Sequence, residues 1–306
     1  MPLSYPALKC VLENLEAAKR LHIVSRSASL QKVDKSIPLR LKKLQNHGKE
    51  WSINELSLIV IGNEYRYRNS KRGSPYAPKD IVNPSKEFLF KFLGGRSSIH
   101  VDVLCFYIKK LDKDSLPAGL KLRVNYFDTE LEYFENNLFL IDPISFPLKK
   151  LWTGLTGPAT FDHPVVKSVE TLKLRSSDEG PINNLEFIKK LTNQTVIFTN
   201  LEWTRGGTIE IVELVQYLVK KPEEIKSDYV IYARGEAYLS ETFSKLENAF
   251  GQFIDELEDV KERFISDKPR FSIPTNSNSN LHIYGVHRTG HMQHPYHIVI
   301  KKGSAI

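Results

Sequence analysis

Apolar residues recur every three or four positions over residues 1–36, then every second position, and later in alternating blocks of both kinds. Leu8, Val11, Leu12 and Leu15 fall on one stripe, the signature of an amphipathic helix. Ala17 to Val24 continues the helical composition, and Ser25 to Ser29 makes a polar turn before a third short apolar segment at Leu30 and Val33. Three helices this short bury little surface by themselves, since chains below about 40 residues usually need a staple or a partner. Something else must cover their apolar stripe.

From Ile37 the period falls to two. "IPLRLKKL", "SINELSLIVI" and "NEYRYRN" alternate apolar or aromatic residues with charged ones, as half-buried strands do. Residues 69–86, "NSKRGSPYAPKDIVNPSK", gather Pro, Gly, Ser, Asn and Lys into the longest expected loop. Further strands are predicted at "SIHVDVLCFYIKK", "LKLRVNYF" and "LEYFENNLFLI". After Pro158 strand and helix patterns alternate: "SVETLKLRS" then "NNLEFIKKL", "QTVIFTNLEW" then "IEIVELVQYLVKK", and "DYVIYARG" before a long helix. Strand centres at Leu174, Ile197 and Ile231 stand 23 and 34 residues apart, which suggests irregular leucine-rich, horseshoe-type repeats or a small βα layer.

The long helix is expected over 240–265. Phe243, Leu246, Phe250, Phe253, Leu257, Val260 and Phe264 recur at three and four, and Ser240 is a candidate N-cap. Packing against the sheet is its ordinary use, and a coiled-coil seam would need more sustained heptads. The pattern therefore predicts an α+β protein in three parts. A small helical module spans 1–36, a strand-rich domain 37–150, and a βα-alternating, leucine-rich-repeat-like half 151–306.

Composition narrows the class without naming a function. With 306 residues, 41% of them apolar and 10% aromatic, the chain can bury substantial cores. Cys10 and Cys105 lie in apolar runs and read as small buried hydrophobes, and two cysteines exclude a disulfide framework. No apolar run approaches the roughly 18 to 20 residues of a membrane span, so a soluble intracellular protein, cytoplasmic or nuclear, is expected. The formal charge of +7 is uneven: residues 1–150 carry 25 Lys+Arg against 16 Asp+Glu, and residues 151–306 carry 18 against 20. A basic first half suits nucleic acid, anionic lipid or an acidic protein, and charge alone does not choose.

The search for chemistry gives little. Five of the nine histidines lie between His282 and His297, yet no Cys is near, and Gly285 and Gly290 oppose the helix that would align His287 with His291. A polar, pH-sensitive loop is the plainer reading, with no metal expected. "FLGGRSS" lacks the ending of a phosphate loop, and in "WTGLTGPATFDH" Pro158 is expected to block a following helix, so both read as turns. G-x-S-x-G and H-E-x-x-H are missing. No catalytic residue is assigned, no cofactor is expected, and the chain reads as a binder and not an enzyme. "EYRYRNSKRGSPY" interleaves Tyr65, Tyr67 and Tyr76 with Arg66, Arg68, Lys71 and Arg72, a basic patch suited to stacking and phosphate contact. The plainer reading puts the tyrosines on a buried strand face and the arginines on a solvated one.

The opening residues carry one resemblance. Leu3, Ala7-Leu8, Val11-Leu12 and Leu15 resemble the first half of an F-box, L-P-x-E-[IV]-L-x-x-[IV]-L-x-x-L, and "IVSRSASLQ" is similar to the segment that follows in that motif. The chain departs from the pattern at Ser4, which replaces the usual Pro, at Pro6, which replaces an acid, and in lacking a Trp after Arg26. The intervening segment is also about two residues short. The wording of this segment, with "GLKLRVN" at 119–125 and "DHPVVKSVETLKL" at 162–174, resembles the F-box C proteins expanded in nematodes, which carry a large associated domain of unknown function.

The resemblance implies an F-box-like module at 1–36 followed by an F-box-associated domain. It implies a substrate-recognition subunit of a cullin-based ubiquitin ligase, with Leu3, Leu8, Val11, Leu12 and Leu15 facing a Skp-type adaptor and the C-terminal half facing an unidentified protein target. Two alternatives stand beside it: an F-box-derived interaction domain without ligase coupling, and a nucleic-acid binder working through the basic first half.

Overall fold

The computed structural model describes residues 4–24, 27–48, 50–61, 64–69, 84–108, 111–129, 134–154, 158–175, 190–199, 211–233, 235–251, 257, 260, 264–265, 267–275, 279–288 and 294–303. The protein is α+β, with helices at its N-terminus and strand-rich sheet after them. Two compact units divide at Leu148/Lys149.

In the first unit, α1 (Tyr5–Asn14), α2 (Ala17–Val24) and α3 (Ala28–Lys35) form the N-terminal module. A proline in the first turn of α1 is tolerated because the amide it lacks would have no partner there. Leu12, Val24 and Ile37 make a small core against which Leu8, Leu15, Leu30 and Val33 pack. The apolar stripe seen in the sequence thus closes the module's own interior. Cys10, read as buried, is exposed. It stands two residues from both Leu8 and Leu12, roughly 200° around the helix from each.

Six strands follow in the spatial order β6-β5-β1-β2-β3-β4: β1 (Leu39–Asn46), β2 (Glu50–Ile53), β3 (Leu56–Ile61), β4 (Glu64–Asn69), β5 (Ile99–Phe106) and β6 (Arg123–Asp128). β1, β5 and β6 run parallel, and β2 to β4 form an antiparallel meander from β1. Asn54 makes the β2–β3 turn with φ of +53°, a left-handed conformation that Asn tolerates better than most residues. Its Oδ1 accepts from the amides of Lys42 and Lys43 at 2.9 and 3.1 Å, and its Nδ2 donates to Glu16 at 2.6 Å, tying turn, strand and helix together.

Two sequence expectations change in this unit. The end of the long loop overlaps a helix, α4 (Pro84–Phe92), which opens on a proline. Gly94 follows it where a Cβ would stand 2.7 Å from the Phe90 carbonyl oxygen, so only glycine fits. The strand expected at 131–141 contains instead α5 (Phe134–Asn137) and a 3-10 turn over Leu138–Leu140. Phe134, Asn137 and Leu140 are all buried, a spacing of three that a strand cannot turn to one side.

The second unit is built on β7 (Lys150–Gly154), β8 (Thr171–Arg175), β9 (Thr195–Thr199), β10 (Asp228–Ala233), β11 (Phe271–Pro274), β12 (Asn280–His287) and β13 (Tyr296–Gly303). Its spatial order is β7-β8-β9-β10-β13-β12-β11. The first four strands are parallel and each pairs with the next in sequence, while β13, β12 and β11 close the series antiparallel. Leu151, Leu172, Val196, Tyr229, Ile300, Ile283 and Phe271 form one cross-strand row, none more than 2% exposed. On the opposite face Trp152, Lys173, Ile197 and Val230 form a half-buried row. The sheet therefore has one buried and one partly open face, unlike doubly wound parallel sheets covered on both.

Among the described residues four helices accompany these strands: α6 (Pro158–Asp162), α7 (Pro164–Ser168), α8 (Ile211–Lys220) and α9 (Glu236–Phe250). Pro158 begins α6 where it was expected to block a helix, because a first-turn proline costs no hydrogen bond. The helix expected over 240–265 runs 236–250, with Gly235 before its first turn and Gly251 ending it in the left-handed conformation. Phe243 lies 3.2 Å from where a Gly285 Cβ would be, so α9 packs on the core face of β12. The later apolar positions Leu257, Val260 and Phe264 pack outside the helix, against Tyr284, Val286 and Val299. The segment 183–191, expected as helix, falls largely outside the described residues, and its last two positions are not helical.

Candidate functional site

The N-terminal module is fastened to the strands by buried charge. Arg20 of α2 donates from Nε to Asp34 Oδ1, and Arg96, beyond α4, donates from Nη2 to Asp34 Oδ2. Arg20 also donates to the carbonyls of Asp34, Ile37 and Pro38 at 3.1, 3.2 and 3.1 Å, and Arg96 to those of Asp34 and Phe92 at 3.0 and 2.7 Å. Burial pushes the Arg96 guanidinium below its ordinary pKa, and the Asp34 carboxylate pulls it back up. Lys35 of α3 donates to the carbonyls of Phe90 and Lys91 at 3.3 and 2.9 Å and to that of Gly94, so a cation sits on the negative end of α4. Burial and neighbouring Arg96 lower the Lys35 pKa. None of these residues carried a sequence signal, because the partners lie 14 to 62 positions apart.

This attachment decides which apolar residues remain available. Leu12, assigned to the adaptor face, is 2% exposed, and Leu8 and Leu15 are partly buried against the same core. Val11 is 46% exposed, and Tyr5 and Ile23 are 59% and 42% exposed. Leu3 lies outside the described residues. A stripe at helical spacing finds the inward face of a helix, so it selects core residues in preference to docking residues.

The other sequence candidates fare unevenly. Arg66 and Arg68 lie in β4, paired with Ile59 and Ser57. Lys71 and Arg72, like Tyr76, fall outside the described residues. The histidines do not form one loop: His282 and His287 belong to β12 and His297 to β13, and His291 is outside the described residues. His282 and His297 are buried, the former with its ring over Gly303, where a Cβ would meet Nε2 at 2.2 Å. Among the described residues no group of three or more His, Cys, Asp or Glu is placed to hold a metal. In the first unit Cys105 lies 3.8 Å from Asp128, and burial together with that carboxylate pushes its thiol up to about 12. Such a thiol is not a nucleophile at neutral pH.

The richest constellation lies on the half-open face of the second unit, toward the C-terminal ends of its parallel strands. The Lys173 ammonium sits 3.4 Å from the centre of the Trp152 ring and 5.1 Å from that of Tyr232. Tyr232 in turn stacks on His297, with ring centres 4.1 Å apart and planes inclined by 6°, and approaches His294 at 5.7 Å. Register places these groups together. Lys173 pairs with Trp152, and two positions on, Arg175 pairs with Gly154 and Thr199, with Tyr232 opposite His297. Arg288 follows β12 at this end, its amide donating to the Pro295 carbonyl at 2.8 Å beside the Tyr296–His297 stretch that pairs with β10; burial raises the Tyr232 pKa and the charge of Arg288 lowers it. In sequence these residues are spread over 152–297 and only the histidines drew notice.

Residues 83–227 match the family model "Domain of unknown function (DUF3557)". The DUF3557 stretch opens one residue before α4 and ends one residue before β10, taking in Arg96, Trp152, Lys173 and Arg175 but not the N-terminal helices or the histidines from His282 to His297. It covers just under half of the chain. No curated protein and no solved structure matches the chain.

Proposed function

We propose that this protein is a non-enzymatic substrate-recognition subunit of a cullin-based ubiquitin ligase, with an F-box-like N-terminal module and a leucine-rich-repeat-like second unit that holds a protein target. Its contribution is proximity, and the chemistry belongs to its partners. The observation that carries this reading is the exposure of Tyr5, Val11 and Ile23, three of the five exposed large hydrophobic residues among those described. Ile23 sits on α2, which the Arg20–Asp34–Arg96 cluster anchors, and Tyr5 and Val11 sit on α1, which packs through Leu8, Leu12 and Leu15; apolar residues already held by a folded module lose little entropy on docking. The second unit supports the other half of the proposal. Parallel strands adjacent in sequence, with aligned positions Leu151, Leu172 and Val196 at intervals of 21 and 24 residues, resemble a horseshoe repeat, whose open sheet face binds partners.

Affinity purification from cells tests the first half, comparing the wild type with Val11→Glu/Ile23→Glu. Loss of adaptor and cullin from the variant, with an unchanged melting temperature, is the expected result. Equal recovery of adaptor and cullin with both proteins would overturn the assignment of docking to Val11 and Ile23. The burial of Leu12 favours a second reading, an interaction domain whose helices only close its sheet, and that reading predicts no adaptor with either protein.

A further inference from the structure

We infer that the half-open face of the second unit, at the strand ends bearing Trp152, Lys173, Arg175, Tyr232 and Arg288, binds an acidic peptide segment of a protein partner. This rests on the reading of that unit as the target-binding half and names the chemistry of what it binds.

The argument starts from charge. The second unit holds 20 Lys+Arg against 20 Asp+Glu and is formally neutral. Yet the described residues at this end of the sheet, 152–154, 173–175, 197–199, 230–233, 286–288 and 294–298, include Lys173, Arg175 and Arg288 and not one Asp or Glu. What formal charge the described residues place at this end of a neutral unit is therefore positive. The rings give the cations a fixed geometry: Trp152 and Tyr232 flank the Lys173 ammonium, and His297 backs Tyr232. An ammonium held between aromatic faces has surrendered its rotamer freedom before a ligand arrives. Exposed rim charges steer an acidic partner, while Trp, Tyr and Arg are the residues that dominate binding energy once desolvated.

The elements packed around the cluster agree. β12 and β13 continue the same face, where Leu257, Val260 and Phe264 cover Tyr284, Val286 and Val299. That apolar cover lies beside Tyr232 and His297, whereas Trp152, Lys173 and Arg175 keep part of their surface. A peptide along the strand ends would lay its carboxylates over three cations and its backbone against two rings. Nucleic acid would also meet cations and rings, but a duplex or strand needs a longer basic track, and β9 contributes only Ile197, Phe198 and Thr199 here.

Fluorescence anisotropy on the full chain, without adaptor, tests this with a labelled Glu/Ser peptide, its Gln/Ser counterpart and a single-stranded oligonucleotide. The Glu/Ser peptide should bind and the Gln/Ser peptide should not. Arg175→Ser/Arg288→Ser should weaken binding about tenfold, with Lys173→Met weakening it further while keeping the stem between the rings. Thermal melts establish that both variants fold. Equal binding of the two peptides, tighter binding of the oligonucleotide, or wild-type affinity in folded variants would each overturn the proposal. Because adaptor is left out, failure of ligase coupling and failure of this site are separate results.

Discussion

Asp34 is the residue on which the N-terminal attachment turns. Two guanidinium groups and no water-facing route share its carboxylate, and the side chains of Asp34 and Arg96 are 1% exposed. A buried ion cluster is weak evidence of net stabilisation, but removing one member leaves the others uncompensated. Asp34→Ala should therefore destabilise the first unit by about 3–5 kcal/mol in urea unfolding, with Asp34→Asn costing less because it still accepts hydrogen bonds. A loss within the range of an ordinary surface substitution would show that the cluster does not hold the module. Nothing in the sequence marks this role, because a charged residue on a short helix reads as solvated unless its distant partners are known. The sequence reading of Cys105 as a buried hydrophobe matches its burial beside Asp128, whereas the same reading failed at Cys10, where the run of apolar neighbours wraps past a residue on the outer side of α1.

At the scale of elements, periodicity located most strands and short helices, and its errors have local causes. Strand centres taken at Leu174, Ile197 and Ile231 differ from the observed row of Leu174, Phe198 and Ile231 by one residue in β9. A slip of one exchanges the two faces of a strand. The run "TVIFT" is apolar at three successive positions and so does not declare its inward side. Phe198 is buried and Ile197 half-buried, which sets up a clean comparison. Phe198→Ala should cost about 3–5 kcal/mol in denaturant unfolding and Ile197→Ala clearly less; the reverse order would contradict the register. The long helix was overrun for a related reason: Leu257, Val260 and Phe264 keep helical spacing, but Gly251 stops the helix, and the three residues instead pack on β12 and β13.

For the whole molecule, the sequence conveyed the α+β class and the presence of N-terminal helices, while the cluster of Trp152, Lys173, Tyr232 and His297 depended on strand pairing across more than a hundred residues. The basic excess belongs to the first unit, with 23 Lys+Arg against 16 Asp+Glu, so the cationic end of the neutral second unit is a matter of placement and not of composition. Among the described residues no helix is long and apolar enough to cross a membrane. The proposed division of labour gives the N-terminal helices to an adaptor and the sheet face to a target, and it is tested most directly by hydrogen exchange on the purified chain with and without a Skp-type adaptor. Slowed exchange of amides in 5–24, with β7 to β10 unchanged, is the result expected. Exchange that is identical in both samples throughout the N-terminal helices would contradict adaptor docking.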